Sequence, residues 1–180
     1  PLLNYKNVMR SIHFITSEEG LNMSYKRITL STSGISKMIR KLADDNVKVN
    51  LALSLHAANE ELRKKIMPIG KSNTLEEIRD SLKYYFSKTK KKVTYEYVLL
   101  RDVNDSIEDA YQLYKYTKHL SSKVNIIEYN AVEGLEFKKS SFEKTEKFIG
   151  YLLKKGVNVS LRRSRGKDIN AACGQLANKN

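Results

Sequence analysis

An α/β fold with parallel strands is the fold class that the sequence predicts, and three observations lead to it. Short apolar β segments alternate with helical segments of ten or more residues, which is the spacing of βαβ units and not of hairpins. The length of 180 residues suits one domain, and 41% hydrophobic residues are enough for a substantial core. Parallel sheets need helices on their faces or closure into a barrel, so we expect the helices to pack on the sheet.

The first part of the chain predicts two helices and two strands. Apolar side chains at helical spacing indicate an amphipathic helix over residues 4–19. A short strand follows over 28–34 and ends in a turn of small residues, after which a second helix runs to about Asp44. Residues 47–55 form a strand that is apolar enough at its end to be largely buried.

Two further helices are marked by their first residues. Asn59 caps a helix with an acidic first turn, and Pro68 and Gly70 end it. Either Asn73 or Thr74 caps the next helix, which also begins with acidic residues.

The remaining chain repeats the alternation of strand and helix. Residues 93–100 form a clear β segment, and either Asp105 or Ser106 caps a helix that runs to about His119. A strand over 124–129 comes next. The last elements are a helix over 141–155 that ends at Gly156 and a strand over 157–161, followed by a loop that carries the single cysteine.

Small and polar residues follow the predicted strands, where parallel α/β folds collect their chemistry. Ser31 and Ser33 share a face of one strand, and Ser54 and His56 share a face of the next. Hydroxyls and an imidazole at one edge suit a ribose, a carboxylate or an amide, and Asn130 adds an amide at another strand end. Metal binding would require more histidines or carboxylates together. A histidine such as His56 is also often only a hydrogen-bonded strand terminator.

Cys173 is the only cysteine, and it follows a basic segment and precedes a glycine. Nearby positive charge and flexible neighbours favour an exposed, partly ionised thiol that acts as a nucleophile. The alternative is an ordinary small, buried hydrophobic residue. One cysteine cannot form an internal disulfide, and it cannot by itself hold a thiolate zinc or iron–sulfur site.

The charge of the chain is strongly positive, with 33 Lys and Arg against 20 Asp and Glu and a formal net charge of +13. Such an excess favours a polyanionic partner, most simply nucleic acid. A merely soluble, lysine-rich protein is the alternative. No run of about eighteen apolar residues is present, so we expect no membrane span.

The chain also resembles a known family through motifs that occur in order along nearly its whole length. These motifs are Pro1–Asn4, Thr29–Gly34, Ser54–Ala57, Tyr95–Leu100, Val103–Asp105, Asn125–Asn130 and Asp168–Leu176. Together they resemble the radical-SAM adenine C2 methyltransferases of large-subunit ribosomal RNA and of tRNA, the RlmN family. The segment around Cys173 is the most diagnostic. A sister group that methylates adenine C8 has a similar tail.

The resemblance implies a fold and a mechanism. The family fold is a partial (β/α)6 barrel, and this chain would be its C-terminal part, a single domain over 1–180 with about four βα units, a last strand and the cysteine-bearing tail. One S-adenosylmethionine would methylate Cys173, the S-methylcysteine intermediate. A second, cleaved by a [4Fe-4S] cluster, would give the radical that activates this methyl group for addition to adenine. The residues that would contact S-adenosylmethionine are Ser31, Ser54, Leu55, His56 and Asn130.

The resemblance also implies what lies outside the chain. The family holds its cluster with a Cys-x3-Cys-x2-Cys motif that this chain lacks, so we expect the cluster ligands upstream and the chain alone to be inactive. The implied partners are 23S rRNA near the peptidyl-transferase region, tRNA near the anticodon stem-loop and an electron donor such as a flavodoxin system. The full-length protein would be a cytoplasmic monomer. The alternatives are a non-catalytic basic βα domain that binds RNA or phosphate, and the adenine C8 methyltransferase.

Overall fold

Five parallel strands form one sheet in which spatial order follows chain order, β1-β2-β3-β4-β5. The computed structural model describes residues 1–132 and 134–163. The strands are β1 (Thr29–Thr32), β2 (Asn50–Ser54), β3 (Val93–Leu99), β4 (Ser122–Glu128) and β5 (Val159–Arg162). Each strand therefore joins the edge of its predecessor through a helical crossover. This architecture confirms the predicted α/β fold with parallel strands.

Helix α1 (Tyr5–Thr16) precedes the first strand, and helices connect each strand to the next. The connecting helices are α2 (Ser36–Asp44), α3 (Glu60–Ile66), α4 (Leu75–Thr89), α5 (Ile107–Thr117) and α6 (Phe142–Lys154). Helix α2 packs against α4, and α5 packs against α6. No helix within the described ranges combines the length and the apolar character needed to span a bilayer.

Side-chain caps decide where the helices begin. The side chain of Asn59 accepts a hydrogen bond from the N–H of Leu62, as predicted. Thr74, and not Asn73, caps α4 in a capping box with Glu77. Ser106 forms the equivalent box at the start of α5. Both open alternatives are thus decided in favour of the hydroxyl residue, which reaches the free N–H groups of the first turn.

Several predicted boundaries were wrong by a few residues. Helix α1 ends at Thr16 instead of residue 19, because Ser17 adopts an extended backbone and starts a turn. Strand β2 begins at Asn50 and not at residue 47, and β4 begins two residues earlier than predicted, at Ser122. His119 lies in the turn after α5 and not within a helix.

The core lies between one face of the sheet and the helices. Along β3, buried residues alternate with half-buried ones, and the buried set is Val93, Tyr95, Tyr97 and Leu99. The ring centroid of Tyr97 lies 5.5 Å from that of Phe148 on α6. Tyr95 meets Tyr116 of α5 edge to face at 5.9 Å. These aromatic pairs pack α5 and α6 on one face, whereas the alternating residues Glu96 and Val98 project from the opposite face and line the pocket described below.

Candidate functional site

A pocket of about 520 Å³ opens at the carboxyl ends of the strands. Ser54, Glu128 and Arg162 are the last residues of β2, β4 and β5, and all three line it. Its walls are mostly apolar and are formed by Ile66, Met67, Val98, Leu100, Ile127, Val132, Leu135 and Phe137. A volume of this size suits a small-molecule ligand with both apolar and polar parts.

The predicted site residues meet in this pocket, with two exceptions. Ser31, Ser54, His56 and Asn130 all line it, although they come from three different strands or strand ends. The side chain of Leu55 is completely buried and does not line the pocket. Cys173 lies outside the described residues. The strand-end rule therefore brings together four residues that are up to 99 positions apart in the chain.

Two features fix the position of the His56 side chain, namely a left-handed backbone conformation and a hydrogen bond to the ring. Its φ is +56°, in the left-handed region that residues other than glycine rarely adopt. The ring Nδ1 accepts a hydrogen bond from the N–H of Val98 at 3.2 Å. Because Nδ1 acts as an acceptor, the proton of the neutral ring is on Nε2, which remains available as a donor toward a ligand.

His56 is also kept uncharged. Burial, and to a smaller extent the positive charge of Arg63, lower the pKa of His56 to about 4. Arg63 itself is 1% exposed, and its guanidinium donates to the carbonyl of Ser33 at 2.6 Å. At neutral pH the pocket therefore presents a neutral imidazole.

Polar side chains form a row across strands β3, β4 and β5 beside the pocket. Glu96 pairs in register with Asn125, and Asn125 pairs with Ser160. The amide of Asn125 donates to Glu96 Oε1 at 2.9 Å, and the hydroxyl of Ser160 donates to Asn125 Oδ1 at 2.8 Å. Arg162 Nη1 lies 3.7 Å from Glu96 Oε2. These contacts hold the carboxylate of Glu96 in place at the pocket.

The loop after β4 supplies one wall and is fastened to the loop after β3. The backbone N–H of Arg101 donates to the carbonyl of Lys138 at 2.8 Å, and Arg101 Nε donates to the carbonyl of Lys139 at 3.0 Å. The hydroxyl of Ser140 donates to Asp105 at 2.6 Å. The same loop places Phe137 against Tyr129, with ring centroids 6.2 Å apart.

Several pocket residues were not predicted from the sequence. Glu96 is the most informative of them, since a carboxylate in the middle of a largely buried strand is itself a signal of a polar site. Glu128 and Arg162 are the last residues of their strands, so the expectation that functional residues lie at strand ends could have identified them. The apolar wall of the loop, Val132, Leu135 and Phe137, gave no comparable signal, because irregular segments have no periodicity.

Metal ligands do not gather in the described part of the chain. Among the described residues, no group of three or more His, Cys, Asp or Glu side chains could hold a metal ion. The full sequence has a single cysteine. The residues present therefore do not fit an iron–sulfur cluster, which needs several thiolate ligands.

Comparison with known proteins shows what the chain is similar to. It is 55% identical over 179 residues to a protein of Flavobacterium psychrophilum named "Probable dual-specificity RNA methyltransferase RlmN", covering 99% of this chain and 52% of that protein. A protein of the same name from Christiangramia forsetii is 52% identical over 179 residues, covering 99% of this chain and 51% of that protein. The chain thus spans about half the length of the curated relatives it matches.

A solved structure and a family model agree with these relatives. The crystal structure of a radical SAM methyltransferase from Sphaerobacter thermophilus matches with a TM-score of 0.94 and 38% sequence identity, covering 97% of this chain and 51% of that one. The family model for the Radical SAM superfamily matches residues 1–114. With the parallel strands and the pocket at their carboxyl ends, this match shows that the chain belongs to the radical SAM superfamily.

Proposed function

We propose that this chain is the C-terminal part of a methyltransferase that acts on C2 of adenine in 23S rRNA and in tRNA, and that its pocket binds S-adenosylmethionine. The relatives support RNA as the substrate class, since they are named dual-specificity RNA methyltransferases at 52% and 55% identity. Membership of the radical SAM superfamily supports S-adenosylmethionine as the ligand. The domain would be a truncated barrel with about four βα units and a last strand.

The composition of the pocket is the observation that carries this proposal. The described lining includes two carboxylates, Glu96 and Glu128, and one cation, Arg162. Glu96 lies beside Arg162, and Glu128 pairs with Lys139 at 3.1 Å, so the lining presents no excess of positive charge that would attract a phosphate. Glu96 Oε2 has no hydrogen-bond partner among the described residues and can accept from the ammonium group of S-adenosylmethionine. The apolar walls would cover its adenine. The hydroxyl of Tyr129, another lining residue, is buried and has no hydrogen-bond partner among the described residues, so it can serve a ligand.

Each predicted contact has a specific chemical role in this proposal. The hydroxyls of Ser31 and Ser54 would bind the ribose or the carboxylate, and Nε2 of His56 would donate a hydrogen bond. Asn130 would supply an amide. The N–H of Leu55 already donates to the carbonyl of Glu96 at 3.0 Å, so its contact would be made by its carbonyl, which accepts from the N–H of Ala57 at 2.7 Å and can accept a second hydrogen bond.

When bound, S-adenosylmethionine supplies the methyl group of the reaction. In our proposal the thiolate of Cys173, having lost its proton to solvent, would take that methyl group as the bond from the methyl carbon to the sulfonium sulfur breaks, so that S-methylcysteine forms and S-adenosylhomocysteine leaves. The [4Fe-4S] ligands would come from residues outside this chain, so the chain alone would lack radical activity. An electron donor such as a flavodoxin system, a cytoplasmic location and a monomeric full-length protein complete the proposal.

The positive charge of the chain would contribute to RNA binding. A net charge of +13 attracts phosphate groups and predicts binding that weakens steeply with salt. The target adenine would have to leave its stack to reach Cys173. A basic βα domain that binds RNA without catalysis, and the adenine C8 methyltransferase, remain the alternatives.

Calorimetric titration of S-adenosylmethionine into the full-length protein tests the proposal. Ser54→Ala should weaken binding by about five- to ten-fold, the loss of roughly one hydrogen bond. Ser87→Ala on α4 is the matched control and should bind like the wild type, because its exposed hydroxyl donates to the carbonyl of Tyr84, away from the pocket. Absence of binding to the wild type, or phosphate binding in its place, would favour the basic domain.

A further inference from the structure

We propose that Asn104 is a positioning residue for His56, holding its backbone and ring so that Nε2 is directed to the ligand. The inference rests on the proposed function for the identity of that ligand. Asn104 does not line the pocket, and its side chain is completely buried in the loop after β3. Its influence on a ligand would therefore pass through His56.

The amide of Asn104 joins His56 to the end of strand β3. Its Nδ2 donates to the carbonyl of His56 and to the carbonyl of Val98, each at 2.8 Å. Its Oδ1 accepts from the N–H of Leu100 at 2.7 Å. Both amide hydrogens are thus used, and three separate backbone positions depend on one side chain.

The sheet itself creates the need for this side chain. The register between β2 and β3 stops at the pair Ser54 and Glu96, so β3 extends beyond the end of its neighbour. The N–H of Val98 instead donates to the ring of His56, and its carbonyl accepts from Asn104. His56 and Asn104 together replace the missing strand, which is why the ring orientation and the amide are coupled.

The backbone of His56 supplies the second reason. A left-handed conformation at a non-glycine residue persists only where surrounding contacts hold it. The carbonyl of His56 accepts from the Asn104 amide, and its N–H lies 3.3 Å from the carbonyl of Glu96. Loss of the amide would therefore release the turn that places the ring.

Asparagine suits this place better than aspartate or serine. Asn104→Asp would put a carboxylate opposite two carbonyl oxygens, with no hydrogen to donate to either. Asn104→Ser removes the amide without adding a negative charge, so it causes less repulsion. Its hydroxyl is too short to bridge both carbonyls. Tyr97→Phe is the matched control in the same corner, since it removes only the bond from the Tyr97 hydroxyl to the backbone carbonyl of Asn104.

The experiment compares these variants in the full-length protein by two measurements. In Asn104→Ser, the dissociation constant for S-adenosylmethionine should rise about ten-fold, and Tyr97→Phe should leave it near wild type. The effect should vanish in a His56→Ala background, because Asn104 would act only through that ring. In ¹⁵N-histidine spectra, the signal of the hydrogen-bonded Nδ1 of His56 should shift in Asn104→Ser and stay in Tyr97→Phe.

The outcomes separate this inference from the proposed function. An unchanged ring signal, an unchanged affinity, or a loss that persists in the His56→Ala background would overturn the positioning role. If Asn104→Ser is too unstable to purify, Asn104→Gln, which keeps the amide hydrogens but moves them by one methylene group, gives the same two readings. A wild type that does not bind S-adenosylmethionine would refute the proposed function, whereas the ring signal would still decide whether Asn104 holds His56.

Discussion

The ring of His56 accepts a hydrogen bond from the backbone of Val98, 3.2 Å from Nδ1 to the amide nitrogen. The contact replaces a bond that a longer β2 would have made, and it leaves Nε2 as the ring donor. A strand-end histidine can thus be both a strand terminator and a ligand-binding group, two roles that the sequence presents as alternatives.

The first prediction concerns the stability of the protein in acid. The pKa of His56 is about 4 in the folded protein and near its usual 6.5 when unfolded, so the unfolded state binds the extra proton between these values. The free energy of unfolding is therefore unaffected by this group above about pH 6.5. It falls by roughly 3 kcal/mol as the pH is lowered from there to about 4. Urea unfolding of the wild type and of His56→Asn at several pH values measures it. Parallel pH profiles for the two proteins would contradict the assignment.

A second prediction concerns Arg63, whose charge adds to the effect of burial in lowering the pKa of His56. Arg63→Met should raise that pKa, although burial should keep it below 6.5. Titration of the ring by NMR measures the change. Arg79→Met is the control, because Arg79 pairs with Glu76 and is not among the groups that shift the pKa of His56. An equal rise in both variants would point to a general loosening of the fold.

A third prediction concerns the buried carboxylate of Asp105, whose side chain is 2% exposed. It accepts hydrogen bonds from the N–H of Asp102 at 3.0 Å and from the hydroxyl of Ser140 at 2.6 Å, and Lys144 Nζ lies 3.3 Å away. Asp105→Asn removes the charge and turns one acceptor oxygen into a donor. We therefore expect the free energy of unfolding, measured in urea, to fall by about 1–3 kcal/mol.

The control for Asp105 is Glu143, which pairs with Lys147 on the surface of α6 and is 77% exposed. Glu143→Gln should leave the urea midpoint close to that of the wild type, because solvent screens an exposed pair. Equal shifts of the midpoint in the two variants would mean that the contacts of Asp105 between the two pocket loops contribute no more than a surface pair.

A fourth prediction concerns the turn after β1. Gly34 has a φ of +96°, and a Cβ there would lie 2.8 Å from Cδ1 of Ile78. Gly34→Ala should therefore destabilise the protein by about 1–3 kcal/mol. A Cβ added at Gly150 in α6 would meet no described atom within 4 Å apart from its chain neighbours and the adjacent backbone of its own helix, so Gly150→Ala should stabilise the protein by about 0.5–1 kcal/mol. Shifts of the same sign in the two unfolding curves would refute the steric explanation.

The sequence predicts the parallel strands and the meeting of Ser54, His56 and Asn130, because parallel strands present their carboxyl ends at one edge. It does not predict the left-handed backbone of His56, since that conformation is normally a property of glycine and here depends on a distant amide. Nor does it predict the wall that contains Phe137, because that loop is placed by contacts such as Ser140 with Asp105, 35 residues apart. Local pattern specifies elements, whereas these features arise from long-range hydrogen bonds.

The most direct measurement is the mass of the peptide that carries Cys173, taken from full-length protein with a loaded cluster and S-adenosylmethionine supplied. We predict the added mass of one methyl group on that cysteine, and a smaller methylated fraction in His56→Ala. An unmodified Cys173 under these conditions would contradict the proposed mechanism at its central residue and would favour a basic RNA-binding domain without catalysis.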